Sequence, residues 1–153
     1  MRFRLATETD APSLVALINA AFAVERFFID ADRVNLAEVQ ARFRTGRFLV
    51  AEESGALIAC AYLEPRGDRT YLGLLSVDPA RQGQGIGSRM MSAAEDQCRA
   101  EGTAFMDLRI VNLRSELLSF YCRNGYAESG TSPFPPEQPT LLPCHFIHMS
   151  KAL

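Results

Sequence analysis

The fold turns on the stretch Leu74-Leu75-Ser76-Val77-Asp78-Pro79-Ala80-Arg81-Gln82-Gly83-Gln84-Gly85-Ile86-Gly87-Ser88. An apolar, strand-like run stops at Asp78-Pro79, a loop with three glycines follows, and a helix begins inside that loop. Such a junction suits an anion. Glycine lets the backbone approach a ligand with no Cβ in the way. The unpaired N–H groups of the first helical turn, with the helix dipole behind them, favour a phosphate. Two familiar phosphate loops do not fit. The G-x-x-x-x-G-K-[ST] pattern needs a lysine, and none is here. The dinucleotide fingerprint G-x-G-x-x-G needs a glycine where Ser88 stands, and the strand before the loop lies in a hairpin run rather than a parallel crossover.

Upstream of the loop, Arg47–Glu52 and Ala56–Leu63 read as strands joined by a tight hairpin at Glu53-Ser54-Gly55. Pro65-Arg66-Gly67-Asp68 then turns the chain into a strand over Tyr71–Val77. At the N-terminus, Phe3 and Leu5 alternate with Arg2 and Arg4, as in a half-buried strand. Thr7 to Asp10 offer capping side chains and Pro12 suits a first helical turn. Leu14, Leu17, Ile18, Ala21 and Phe22 then follow at helical spacing. A second helix is expected over Val34–Phe43, ending near Gly46.

Downstream, the helix opened by the loop runs from Gly85 to Ala100 and stops at Gly102. A strand over Ala104–Ile110 and a helix over Arg114–Arg123 follow, the helix ended by Asn124-Gly125. Tyr126–Thr131 and His145–Met149 complete the strands. Pro133, Pro135, Pro136, Pro139 and Pro143 keep the segment between them irregular, as a wall suited to a pocket. With no repeat or linker, residues 1–153 read as one domain of mixed α/β (α+β) class.

Gln82-Gly83-Gln84-Gly85-Ile86-Gly87 matches Q/R-x-x-G-x-G/A, and so resembles the pyrophosphate loop of the GNAT superfamily of acetyltransferases. The order of strands and helices resembles that family over nearly the whole chain. A second segment does too: Asn112, then Leu117-Leu118-Ser119-Phe120-Tyr121-Cys122-Arg123-Asn124-Gly125-Tyr126. The resemblance implies a central mixed, mostly antiparallel sheet of about seven strands flanked by about four helices. It implies an acetyl-CoA-dependent N-acetyltransferase acting by direct attack of a primary amine on the thioester, without a metal, the amine belonging to a small molecule or to a peptide or protein. The N–H groups of Gln82, Gly83, Gln84, Gly85, Ile86, Gly87 and Ser88 would hold the CoA pyrophosphate. The edge of Leu75, Ser76 and Val77 would pair with the pantetheine arm, and Asn112 would contact the same chain. A backbone N–H near Leu75 would face the thioester oxygen, where charge grows. Tyr121 stands where the family places the acid that protonates the departing thiolate.

One position departs from the family pattern. Many relatives carry a glutamate six residues before the position of Val77, and here that residue is Tyr71. The base is therefore open between a water chain and an acid such as Glu25 or Glu64. The same departure keeps an alternative in play: a non-catalytic acyl-CoA-binding sensor or regulatory module. A binder of some other nucleotide is disfavoured by the missing lysine. The acceptor segment is expected within Phe22–Asp32, where Val24, Phe27, Phe28 and Ile29 would line an apolar pocket or pack as core. Glu25, Asp30 and Asp32 would there attract a cation.

Composition narrows the classes further. Apolar residues make up 48% and charged residues 22%, as in globular domains, and a net charge of −2 gives no case for nucleic acid. No apolar run is long enough to span a membrane. Met1 to Leu5 lack the stretch of a secretory signal, so a cytoplasmic location is expected. The 15 arginines against a single lysine, Lys151, read first as coding bias and second as avoidance of self-acetylation. Cys60, Cys98, Cys122 and Cys144 are far apart and read as buried free thiols. His145 and His148 would point to opposite strand faces and make a poor metal pair. A homodimer stays open.

Overall fold

The computed structural model describes all 153 residues. Strand β1 (Arg2–Leu5) leads to helix α1 (Ala11–Phe22) through a turn that Asp10 fixes. Its carboxylate takes two hydrogen bonds from Arg4, at 2.9 and 3.0 Å, and one from the Thr7 N–H at 2.8 Å. The chain then makes a short 3₁₀ turn over Ala23–Phe27 before helix α2 (Leu36–Thr45). This helix starts two residues later than its periodicity predicts, because Asn35 caps it by accepting from the Glu38 N–H at 2.8 Å. Val34 is core instead, its N–H and C=O both held at 2.9 Å by the Asn19 carboxamide.

Strands β2 (Arg47–Glu53), β3 (Ala56–Arg66) and β4 (Arg69–Val77) form the expected meander. The first hairpin turns on Ser54 and Gly55, both at positive φ. Strand β3 runs through Pro65 and Arg66, so the second turn is only Gly67-Asp68. Helix α3 (Ile86–Ala100), strand β5 (Phe105–Val111), helix α4 (Ser115–Arg123) and strands β6 (Ala127–Pro133) and β7 (His145–Ala152) complete the chain. The seven strands make one sheet in the order β1-β2-β3-β4-β5-β7-β6. Only β4 and β5 pair in parallel; every other pair is antiparallel.

Helices α1 and α2 cover one face through Leu14, Leu17, Ile18, Val39, Phe48, Val50 and Tyr62. Helices α3 and α4 cover the other through Met90, Met91, Ala94, Leu63, Met106, Leu108 and Tyr121. A residue pair two apart on a strand ought to share a face. Leu72 nevertheless packs on the α3 side and Leu74 on the α1 side, while Leu75 and Val77 return to the α3 side. The cause is a bulge. Gly73 pairs with Tyr62 and Ser76 with Cys60, so three steps of β4 oppose two of β3, and Leu74 takes a left-handed φ of 53°. Gly73, an isolated glycine inside an apolar strand, is the sequence sign of it.

The four cysteines are free, as expected, but not all are buried. Cys60 and Cys98 lie in the core. Cys122 is exposed on the outer side of α4, and Cys144 is half-buried in the loop before β7, packed at the edge of the Phe28, Val111 and Phe146 cluster. No helix is long and apolar enough to cross a membrane. No group of three or more His, Cys, Asp and Glu side chains converges as for a metal ion.

Candidate functional site

Strands β4 and β5 are paired only at their N-terminal ends, from Arg69↔Phe105 to Tyr71↔Asp107. Beyond Tyr71 they part, and the edge of Leu72 to Val77 has no strand partner on the β5 side. Arg69 closes the apex of this opening with two bonds to the Asp107 carboxylate, at 2.6 and 2.7 Å, and Ser150 adds a third at 2.8 Å. The opening is thus a slot in the sheet. Its rims carry unpaired backbone N–H and C=O groups, which an extended ligand can satisfy as an added strand does.

The glycine loop lies at the wide end. Gly83 and Gly85 both adopt left-handed φ, 80° and 75°, with open space where a Cβ would stand, so conformation rather than crowding requires glycine there. Gly85 caps α3 and offers no side-chain oxygen, leaving the first-turn N–H groups available to an anion. Two side chains brace the loop. Arg81 reaches Glu53 at 3.0 Å and Gln84 at 3.2 Å, and the Gln82 amide donates to the Val77 carbonyl at 3.3 Å. Ser88 accepts from Asn124 at 3.4 Å, linking the loop to the end of α4.

Tyr121 comes in from α4 and is 5% exposed, edge-on to Phe120 at 5.0 Å and Tyr126 at 5.9 Å. Burial pushes its hydroxyl well above the ordinary tyrosine value, reinforced by the nearby Tyr71 and opposed by Arg114. The hydroxyl therefore keeps its proton, as a donor must. It shares a packed cluster with Leu75 and Val77, so phenol and open strand edge sit on one side of the slot. Ser76 is buried and donates to the Leu74 carbonyl at 2.9 Å, steadying the bulge. Asn112 spends its carboxamide oxygen on the His145 N–H at 2.8 Å, which ties β5 to β7 beside the opening.

Helix α4 is anchored by the chain's single lysine. Lys151 donates to the Asn124 carbonyl at 2.9 Å and to Glu95 at 2.8 Å, and Glu95 also accepts from the buried Tyr126 hydroxyl at 2.8 Å.

On the α1 and α2 face the slot opens into a cavity of about 530 Å³. Tyr71, Gly73 and Leu74 of β4 line it, opposite Arg109 of β5 and His148 of β7, with Arg33 and Arg42 above. The charge is opposite to the sequence expectation. Asp30 and Asp32 are both paired with Arg26, at 3.3 and 2.7 Å, and Glu25 is held by Arg114 at 2.7 Å. Burial raises the Glu25 pKa, with Arg114 pulling the other way. Glu64, the other acid considered as a base, accepts from Tyr62 and Arg66, each at 2.7 Å. Neither glutamate lines the cavity. Of the apolar quartet, Phe28 is fully buried against Val111 and Phe146, with Ile29 packed on that cluster, while Val24 and Phe27 are about half exposed, at 53% and 50%. The proline-rich segment docks here through the Leu141 N–H, which donates to the Phe28 carbonyl at 2.7 Å.

A family model described as an acetyltransferase (GNAT) domain matches residues 44–128. The uncharacterised N-acetyltransferase YhfO of Bacillus subtilis (strain 168) is 30% identical over 138 residues, covering 84% of this chain and 91% of its own. An IAA acetyltransferase of Azospirillum brasilense is 30% identical over 95 residues, and that alignment spans 61% of this chain and 61% of the relative's length. Among solved structures, that of YncA from Salmonella typhimurium with its cofactor acetyl-CoA superposes with a TM-score of 0.76. It is 22% identical, and the match covers 100% of this chain and 94% of that one.

Proposed function

Because the chain belongs to the GNAT family of acetyltransferases, we propose that it moves an acetyl group from acetyl-CoA to a primary amine by direct attack on the thioester. The observation that carries the reading is the slot between β4 and β5: an unpaired strand edge that runs toward a glycine loop with free N–H groups. In this reading Gln82 to Ser88 hold the pyrophosphate by backbone N–H groups and the helix dipole. Leu75, Ser76 and Val77 pair with the pantetheine arm, and Asn112 donates to it from its amide nitrogen.

Acetyl-CoA supplies the thioester. A backbone N–H near Leu75 faces its oxygen and stabilises the charge that develops there. The amine nitrogen bonds to the carbonyl carbon, the carbon–sulfur bond breaks, and the electron pair stays on sulfur. Tyr121 gives that sulfur its proton and regains one from solvent. The proton lost by the nitrogen passes to His148, directly or through water. That imidazole lines the cavity and is held by Ser132 at 2.6 Å, and no carboxylate is free to serve. Tyr71, in place of an acid, shapes the wall beneath Arg66, which stacks on its ring at 4.6 Å.

The sensor reading rests on the same Tyr71 and is separated by turnover. Purified protein with acetyl-CoA and pooled amines is expected to release free CoA thiol in an amine-dependent way. Thermal protection by acetyl-CoA with no thiol release from any amine would replace the transferase with a sensor.

A further inference from the structure

Most arginines of this chain are paired with an acid, among them Arg4 with Asp10, Arg26 with Asp32, Arg69 with Asp107, Arg81 with Glu53 and Arg114 with Glu25, and likewise Arg2, Arg47, Arg66 and Arg99. Arg33, Arg42 and Arg109 are not. No carboxylate lies within ion-pair distance of any of the three, yet all line the same cavity above Tyr71. The remaining unpaired arginines, Arg44, Arg89 and Arg123, point outward from exposed positions on three different helices. The single acid in the cavity wall, Asp107, is already bound by Arg69 and Ser150.

Each of the three is also propped on an aromatic ring. Arg33 lies 5.4 Å from the centroid of Phe22, Arg42 4.8 Å from that of Tyr62, and Arg109 4.1 Å from that of Phe146. Stacking occupies the face of a guanidinium and leaves its edge N–H donors free, the arrangement that suits a carboxylate or phosphonate. The rings restrict side chains that would otherwise lose rotamer entropy on binding. Arg33 keeps a wide solvent-facing surface, but it sits deep enough in the concavity that desolvation lowers its pKa, with Arg42 and Arg109 adding to that and Glu25 and Tyr71 opposing it. Like charges gathered without a counter-ion favour an anion between them.

We propose that the acceptor is a small amine carrying its own anionic group, a carboxylate or a phosphonate, which Arg33, Arg42 and Arg109 hold so that the amine faces the slot beside Leu75. The inference rests on the transferase reading above. A cavity of about 530 Å³ suits a small molecule rather than a polymer. The phosphates of CoA are not the natural occupant. Tyr71 and Gly85 lie at opposite ends of the slot, and the strand from Tyr71 to Val77 alone spans about 20 Å.

The test compares matched amines in the thiol-release assay: amino acids against their carboxamides, and 2-aminoethylphosphonate against ethanolamine. The anionic member of a pair is expected to show at least about tenfold higher kcat/KM, the size of a charge-assisted contact. Arg33→Gln and Arg109→Gln are each expected to drive that ratio toward one while acetyl-CoA still protects the variants thermally. Equal or better turnover of the neutral members overturns the inference and leaves the transferase standing. Faster acetylation of an acidic hexapeptide than of any small amine overturns it too. If no amine is acetylated, calorimetric titration of the same anionic amines into the CoA-loaded protein decides: binding heat that disappears in Arg109→Gln upholds the anion site although the transferase reading falls, and no heat overturns both.

Discussion

The two ends of the β4–β5 slot are built from different materials. At the wide end, recognition is backbone chemistry: Gly83 and Gly85 at positive φ, a helix start without a side-chain cap, and an open strand edge. At the α1 and α2 face it is side-chain chemistry: three stacked arginines, a tyrosine and a histidine drawn from five separate parts of the chain. On the proposed reading, the first arrangement binds a constant ligand through groups every residue has. The second can be rewritten by point substitution without touching the first. On the proposed reading, a donor site kept fixed would lie beside an acceptor site free to change.

The largest expected effect strikes the joint between the two ends. Tyr121→Phe keeps the packing against Phe120 and Tyr126 and removes only the hydroxyl. It should lower kcat about 10²-fold in steady-state assays, with little change in the KM for acetyl-CoA. A smaller effect should separate the ends cleanly. Gly85→Val forces a β-branched residue into a left-handed φ of 75° and should raise the KM for acetyl-CoA about tenfold while leaving the preference among amines intact. A shift in amine preference would mean the two ends are not independent. Stability tests the anchor of α4. Lys151→Met strips Glu95 of its ammonium partner and should cost about 2–3 kcal/mol in denaturant unfolding, with Lys151→Arg recovering part of it.

The smallest effect is in the pH dependence of stability, where two acids near the slot have opposite signs. Hydrogen bonds from Arg69 hold the Asp107 carboxyl below its usual range, so the stability it contributes is present above the ordinary aspartate pKa and lost as pH falls through its folded value. Burial raises Glu25, so the stability linked to its protonated form is present below the ordinary glutamate pKa and lost as pH rises through its folded value. Melting temperatures followed from pH 7 into acid should therefore fall less steeply in Asp107→Asn than in the parent, and Glu25→Gln should leave the acid fall in place.

The same division explains what could be read from the sequence. The loop, the strand before it and the helix after it are contiguous, so a glycine-rich junction between strand and helix at Gln82 to Ser88 was legible in the sequence. The element order followed from periodicity, with errors of a residue or two where a cap such as Asn35 decides the boundary. The bulge at Leu74 was signalled only by Gly73. The charge of the cavity on the α1 and α2 face was not legible, because sequence shows charge only along the chain. Glu25, Asp30 and Asp32 cluster in sequence, but Arg114 and Arg26 neutralise them in space. Arg33, Arg42 and Arg109 sit on a linker, a helix and a strand, and nothing local sets them apart from the other arginines. His148 enters the proposed mechanism only because β7 brings it opposite Arg109, a pairing that nothing local in the sequence announces.

The measurement that bears most directly on the central claim follows the acetyl group itself. Protein is incubated with acetyl-CoA labelled in the acetyl carbons and a pool of amines, and every product is weighed by mass spectrometry. Labelled acetyl is expected on the nitrogen of at least one amine, appearing about 10²-fold more slowly with Tyr121→Phe. Acetyl-CoA that binds, survives intact and passes its label to no amine would contradict it.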